Sequence, residues 1–209
     1  MSRDYAGVRR VAVIGAGTIG SSWAAYFLSR GLEVIASDPK PESESFLRRY
    51  ITAAWPSLER LGLAAGASVE RLRFVRDPMT AIEGADFVQE NIPEREKLKI
   101  DLFEQFGSAL PIKVLIASSS SGLPISRLQS RCRFPERCVL GHPFNPPHII
   151  PLVEVLTPKL QRSIIQGVAE ETGERPISQL AKERDASLIA IYEALGRNSG
   201  RPDETSIKG

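Results

Sequence analysis

The chain has 209 residues, with 27 Lys and Arg against 25 Asp and Glu and a formal net charge of +2 at pH 7. This length suits one sizeable core, and the balanced charge gives no indication of a nucleic-acid or anionic-membrane partner. No apolar run reaches the length of a transmembrane helix, and residues 1–10 lack the apolar segment of a signal peptide. We therefore expect a cytoplasmic protein that binds neither nucleic acid nor a membrane.

The first motif is a glycine-rich turn that follows a four-residue apolar run. Its three glycines have the spacing G-x-G-x-x-G: Gly15, Gly17 and Gly20. An apolar stripe at helical spacing then continues to Gly31, and a second apolar run ends at Asp38. The glycine pattern alone also fits a turn that binds no ligand. In its strand–turn–helix–strand context it predicts a dinucleotide-binding βαβ unit.

Each glycine has a predicted role in that unit. Gly15 permits the tight turn, Gly17 lets a pyrophosphate approach the backbone, and Gly20 lets the helix pack closely on the strand. The free N–H groups at Thr18 and Ile19, with the helix dipole, favour the phosphate charge.

The acid at the end of the second strand predicts which dinucleotide binds. Asp38 can accept hydrogen bonds from the adenosine ribose, and its charge repels a 2′-phosphate. NAD is therefore favoured over NADP, although Lys40 nearby softens this preference.

Further strands and helices alternate along the chain. Five more strands are predicted: 71–75, 86–92, 114–117, 139–142 and 152–156. The helix before the first of them should bury Phe46, Tyr50, Ala54, Leu58 and Leu61. A later helix, entered through Pro93, should bury Leu98, Leu102 and Phe106. This alternation predicts an α/β fold, a Rossmann-like, doubly wound and mostly parallel sheet over residues 6–157.

Three polar features lie near the carboxyl ends of the later predicted strands. Ligands of such sheets bind outside these ends. They are the serine run 118–121, His142 in the segment GHPFNPP, and Glu154 inside an apolar run. A histidine at a strand end suits a general base, and Glu154 is its obvious partner. The alternatives are a structural histidine, a polar loop, and a glutamate that faces solvent from an edge strand.

A metal site must also be weighed, because Cys132 and Cys138 lie near His142 and His148 in sequence. Their spacing, C-x5-C-x3-H-x5-H, does not match the usual zinc arrangements. We therefore expect two reduced cysteines and no metal.

Four segments together resemble the NAD-binding domain of the 3-hydroxyacyl-CoA dehydrogenase superfamily. They are GAGTIGSSWA, FVQENIPEREKLK, IASSSSGLP and GHPFNPPHIIPLVEV, within residues 15–155. In detail they resemble the branch of lambda-crystallin (L-gulonate 3-dehydrogenase) and L-carnitine dehydrogenase more than the β-oxidation enzymes. A 6-phosphogluconate type of dehydrogenase explains the histidine segment less well.

The resemblance implies roles for individual residues. His142 would be the catalytic base and Glu154 the carboxylate that orients it, while Ser121 would bond the substrate hydroxyl and Asn145 would position the reacting groups. Glu94 and Lys99 would contact the cofactor with Asp38. The implied activity is the NAD-dependent oxidation of a 3-hydroxy acid or 3-hydroxyacyl-CoA to the 3-keto product.

The last part of the chain departs from the family pattern. Residues 158–209 predict a short charged tail, with helices over 163–172 and 177–195 and a disordered end, in place of the family's helical domain. That domain carries the family's dimer interface, so homo-oligomerisation is left open. The alternative function is an NAD(H)-binding module with little or no activity. The choice between CoA, carnitine and sugar-acid substrates stays open, since Arg48, Arg49 and Arg60 also fit a solvated helix face.

Overall fold

A computed structural model describes residues 7–150 and 152–156 of the chain. Seven strands are found there: β1 (Arg10–Ile14), β2 (Glu33–Ser37), β3 (Leu72–Val75), β4 (Phe87–Glu90), β5 (Leu115–Ser118), β6 (Cys138–Pro143) and β7 (Val153–Leu156). Five α-helices alternate with them: α1 (Thr18–Ser29), α2 (Ser43–Leu61), α3 (Pro78–Ala81), α4 (Glu96–Ala109) and α5 (Ile125–Leu128).

The strands form one sheet in the order β3-β2-β1-β4-β5-β6-β7. All neighbours pair in parallel except β6 and β7, which are antiparallel. The fold is therefore the predicted Rossmann-like, mostly parallel sheet. Its strand order reverses between β1 and β4, so the crevice for a ligand lies at the carboxyl ends of these two strands.

Both faces of the sheet are covered by apolar clusters. On one face α1 and α2 pack over the strands, and Trp23 stacks on Phe27 with ring centroids 5.3 Å apart. On the other face Phe103 and Phe106 of α4 pack with Ile116 of β5. This double cover explains why β1 and β5 are apolar along nearly their whole length and why all four residues of β4 are buried.

Two of the predicted helix faces were partly wrong. In α2 the buried apolar side chains are Leu47, Ile51, Ala54 and Leu58, whereas Phe46 and Leu61 are exposed. In α4 Leu102 and Phe106 are buried as expected, but Leu98 is 46% exposed and Lys99 is buried beside it. The helix α4 also begins at Glu96, three residues after Pro93. Lys99 is buried in place of Leu98 because it forms an ion pair with Glu90.

The predicted tail helices over 163–172 and 177–195 lie outside the described residues, so the boundary at 157 stays a prediction. Among the helices that the structure does describe, none is both long and apolar enough to cross a membrane.

Candidate active site and cofactor site

Two of the three glycines are required by the packing of the turn after β1. Gly15 has a φ of 91°, and a Cβ there would lie 2.7 Å from the carbonyl carbon of Asn91. A Cβ on Gly20 would lie 1.8 Å from the carbonyl oxygen of Gly15. Any larger residue at either position would therefore push the turn away from β1 or β4.

Gly17 is different, because no contact within the described residues requires a glycine there. Its φ of −70° is open to every residue type, and an added Cβ would have no neighbour within 4 Å in that part of the chain. Gly17 also caps the start of α1, where no side chain of the described residues bonds the exposed backbone at Thr18 and Ile19. An open glycine before a free helix N-terminus fits a pyrophosphate lying against the backbone.

Asp38 lies just after β2 and is anchored to the glycine turn. Its Oδ2 accepts a hydrogen bond of 3.0 Å from the Ala16 N–H, and its Oδ1 accepts one of 3.0 Å from the Lys40 N–H. Each carboxylate oxygen can accept a further bond, so the group fits the ribose hydroxyls of NAD while it is held in place.

A buried ion pair lies at the carboxyl end of β4. Lys99 Nζ donates to Glu90 Oε1 at 2.6 Å, and both side chains are almost fully buried. Ser118 Oγ donates to the other oxygen at 2.5 Å, and the Ile92 N–H donates to Oε1 at 2.6 Å. Each charge is thereby matched, which is the condition for burying such a pair.

Lys99 also reaches Glu94, the second residue expected to contact the cofactor. Its Nζ lies 3.5 Å from Glu94 Oε2, and Glu94 Oε1 accepts hydrogen bonds from the Ser120 hydroxyl and the Gly122 and Leu123 N–H groups. Burial alone would raise the pKa of Glu94, but these bonds and the Lys99 charge hold it below its ordinary value. Glu94 is thus a fixed carboxylate with its side chain 41% exposed.

The serine run separates into inward and outward residues. Ser118 and Ser120 are buried and bond the two glutamates, while Ser119 Oγ donates to Asn91 Oδ1 at 2.7 Å. Ser121, the predicted substrate-binding serine, is exposed at the carboxyl end of β5. Three of the four serines thus hold the loop in place, and Ser121 is the one open to a ligand.

His142 and Glu154 meet across the last two strands. They are directly paired in the antiparallel register of β6 and β7, and His142 Nδ1 lies 3.5 Å from Glu154 Oε2. The side chains are 34% and 60% exposed, so Glu154 also faces solvent from an edge strand. The structure therefore joins the predicted pair without burying the acid.

The loop between these strands carries Asn145 and His148. Asn145 is exposed and precedes a cis peptide bond to Pro146. His148 Nδ1 lies 2.7 Å from Ser22 Oγ, and its backbone N–H donates to the same oxygen at 3.1 Å. Through these contacts the loop is tied to α1, the helix that begins at the glycine turn.

The four residues weighed as a metal site do not converge within the described part of the chain. Cys132 and Cys138 have their sulfurs 3.5 Å apart, but His148 lies against α1 and His142 pairs with Glu154. No group of three or more metal-ligating side chains is found in the described ranges.

Sequence reasoning missed Glu90 and its partner Ser118. The signal was present, because Glu90 ends a short strand that begins with Phe87 and Val88, and a buried acid requires a partner. The same reasoning was applied only to Glu154, which proves to be the more exposed of the two acids.

Comparison with known proteins identifies the family. Residues 10–178 match the family described as "3-hydroxyacyl-CoA dehydrogenase, NAD binding domain". The chain belongs to this family, and the glycine turn with Asp38 lies in its NAD-binding domain.

Several curated relatives are L-carnitine dehydrogenases. The protein of Streptomyces coelicolor is 54% identical over 149 residues, which cover 71% of this chain and 47% of the relative. The protein of Burkholderia mallei is 52% identical over 185 residues, or 88% of this chain and 52% of the relative. The chain thus spans about half the length of these relatives.

Solved structures agree with the fold. An NAD+-dependent 5-formyl-3-hydroxy-2-methylpyridine-4-carboxylic acid 5-dehydrogenase has a TM-score of 0.69 and 32% identity, covering 90% of this chain and 55% of its own. The 3-hydroxybutyryl-CoA dehydrogenase of Escherichia coli also has a TM-score of 0.69, with 27% identity, covering 91% of this chain and 37% of its own.

Proposed function

We propose that this protein oxidises the 3-hydroxyl group of a small 3-hydroxy carboxylate with NAD, and that His142 is the general base. The observation that carries the proposal is the register pair of His142 and Glu154 at the carboxyl end of β6, in the NAD-binding domain of a dehydrogenase family.

In this proposal each ring nitrogen of His142 has its own task. With Nδ1 directed at Glu154 at 3.5 Å, Nε2 is left to accept the proton of a substrate hydroxyl. The Glu154 charge then stabilises the imidazolium that forms, since it lies beside the nitrogen that keeps its proton. When bound, NAD supplies the acceptor for the hydride.

Ser121 and Asn145 complete the proposed site. Both are exposed and follow β5 and β6, strands that are neighbours in the sheet. Ser121 would donate a hydrogen bond to the reacting oxygen, and Asn145 would help to position the substrate. The buried bonds of Ser118 and Ser120 support Ser121 by fixing the loop on which it lies.

For the substrate, the names of the relatives favour L-carnitine over a CoA thioester. L-carnitine is itself a 3-hydroxy carboxylate, and relatives with this name reach 54% identity. A 3-hydroxyacyl-CoA remains the second candidate, because the E. coli structural neighbour is a 3-hydroxybutyryl-CoA dehydrogenase.

The test is NADH binding followed by turnover on the same sample. Fluorescence titration measures NADH affinity, and L-carnitine, L-gulonate and 3-hydroxybutyryl-CoA are then assayed as substrates. We expect turnover of L-carnitine and a loss of about 10²–10⁴-fold in kcat for His142→Ala with NADH affinity unchanged.

Gly17→Ala tests the cofactor site separately from the catalytic base. Because the added Cβ meets no atom of residues 7–150 and 152–156 within 4 Å, the variant should keep the stability of the wild type while NADH affinity falls. Saturable NADH binding without turnover of any substrate would favour the NAD(H)-binding module instead. Turnover by His142→Ala at the wild-type rate would reject His142 as the base.

A further inference from the structure

The two cysteines of the chain form a close pair outside the site described above. Cys132 lies in the turn after α5, and Cys138 is the first residue of β6. The fold brings their sulfurs to 3.5 Å, with the Cys138 thiol donating to Cys132. Cys138 is fully buried and Cys132 is 8% exposed, so only one of the two sulfurs borders the surface.

The surroundings make the two sulfurs chemically unequal. The hydrogen bond from Cys138, the Phe134 backbone and the Arg137 charge lower the pKa of Cys132 to about 6, against the opposing effect of burial. The bond to Cys132 and burial raise the pKa of Cys138. The hydrogen bond and the Arg137 charge therefore favour the thiolate at Cys132 over the one at Cys138.

Arg137 is held firmly in this position. Its side chain is almost fully buried, and its guanidinium donates to the carbonyl oxygens of Phe106, Gly107, Leu110 and Pro111 at the end of α4. Its Nε is buried with no hydrogen-bond partner among the described residues. A fixed cation with a spare donor favours an anion close to it, as at other reactive cysteines.

We propose that Cys132 and Cys138 are a peroxide-reactive dithiol, in which Cys132 attacks and Cys138 resolves the product to a disulfide. The Cys132 thiolate attacks one oxygen of hydrogen peroxide, so that an S–O bond forms, the O–O bond breaks and hydroxide leaves as water after taking up a proton. The Cys138 sulfur then attacks Cys132, an S–S bond forms, and the sulfenic oxygen leaves with the Cys138 proton as water. Two thiols are oxidised and one peroxide is reduced to two waters.

The dithiol lies at the end of β6 opposite to the candidate base. Cys138 begins the strand and His142 is four residues further on, a separation of about 13 Å along an extended strand. Oxidation is therefore expected to leave NADH binding unchanged, which provides a fold control that does not depend on the proposed function.

The experiment oxidises the full chain with hydrogen peroxide and maps the products by mass spectrometry after alkylation of the remaining thiols. Trypsin cuts after Arg133 and Arg137, so a disulfide joins two peptides that would otherwise separate. We expect the wild type to give these joined peptides, lighter by two hydrogen atoms. We expect Cys138→Ser to stop at a sulfenic acid on Cys132 that dimedone traps.

Cys132→Ser decides the order of attack. Without its attacking thiolate, we expect Cys138 to be oxidised more than about tenfold more slowly than in the wild type. Oxidation of Cys132→Ser at the wild-type rate would overturn the assignment of roles. Two separately over-oxidised cysteines, or two thiols that stay alkylatable, would overturn the dithiol itself. NADH titration of both variants shows that they are folded.

Discussion

Two pairs of a carboxylate and a basic side chain lie at the carboxyl edge of the same sheet, and they are built in opposite ways. Glu90 and Lys99 are 2.6 Å apart with exposed fractions of 0% and 1%. His142 and Glu154 are 3.5 Å apart with exposed fractions of 34% and 60%. The first pair is buried and receives further hydrogen bonds from Ser118 and Ile92. The second pair is partly exposed to solvent.

This difference is consistent with two separate tasks in the proposed dehydrogenase site. The buried pair joins β4, α4 and β5, so that Glu94 and the serine loop have fixed positions. Moving a proton there would leave a charge without compensation in the core. The second pair is partly exposed to solvent, which suits the proposed role of His142 as a base. Under the proposed function, the buried pair has a structural role and the exposed pair a catalytic one.

Breaking the buried pair should have the largest effect on stability. Lys99→Met leaves the Glu90 charge without its cation, and we expect a loss of about 3–5 kcal/mol in the free energy of unfolding. Urea denaturation measures this loss.

Lys97→Met is the matched control for this substitution. Lys97 lies on the same helix and pairs with Asp101 at 2.7 Å, but its side chain is 88% exposed. Its removal should cost less than about 1 kcal/mol. Equal losses of unfolding free energy in the two variants would show that the burial of Lys99 does not strengthen its contribution to stability. The contrast between the buried and the exposed pair would then be wrong.

Weakening the exposed pair should affect catalysis instead. Glu154→Gln removes the charge beside His142 and keeps the shape of the side chain. Because the lost interaction is a partly exposed ion pair at 3.5 Å, we expect kcat to fall by about tenfold, which corresponds to about 1.4 kcal/mol of transition-state stabilisation. The measurement is kcat with the substrate found in the panel, together with urea denaturation. A large loss of stability with normal turnover would assign Glu154 a structural role.

The architecture was within reach of sequence because its signals are local. The glycine turn and the apolar runs predict β1 and β5 directly, since parallel strands covered on both faces are mostly apolar. The orientation of α2 was less accessible, because Leu47 and Phe46 are neighbours of similar hydrophobicity and only tertiary packing decides which one is buried.

The candidate site shows the same limit at the level of single side chains. His142 and Glu154 could be paired because one ends an apolar run and the other is an acid inside the next apolar run. The burial of Lys99 could not, because a lysine between Leu98 and Ile100 reads as a solvated side chain until Glu90 is known to lie opposite. Which of four consecutive serines faces outward depends on the turn after β5, and no residue type in that run distinguishes Ser121.

His148 provides the smallest and most specific prediction, since within the described residues it has no carboxylate partner and lies against Ser22 and Tyr50. Burial lowers its pKa below the ordinary value near 6.5. Its contribution to stability is therefore present above about pH 6.5 and is lost as the pH falls through the folded-state pKa. His148→Gln should flatten the fall in Tm between about pH 7 and about pH 5.5. His142→Gln is the control, because it removes the other histidine and leaves this contribution in place. An equal flattening in both variants would show that acid sensitivity follows histidine content and not burial.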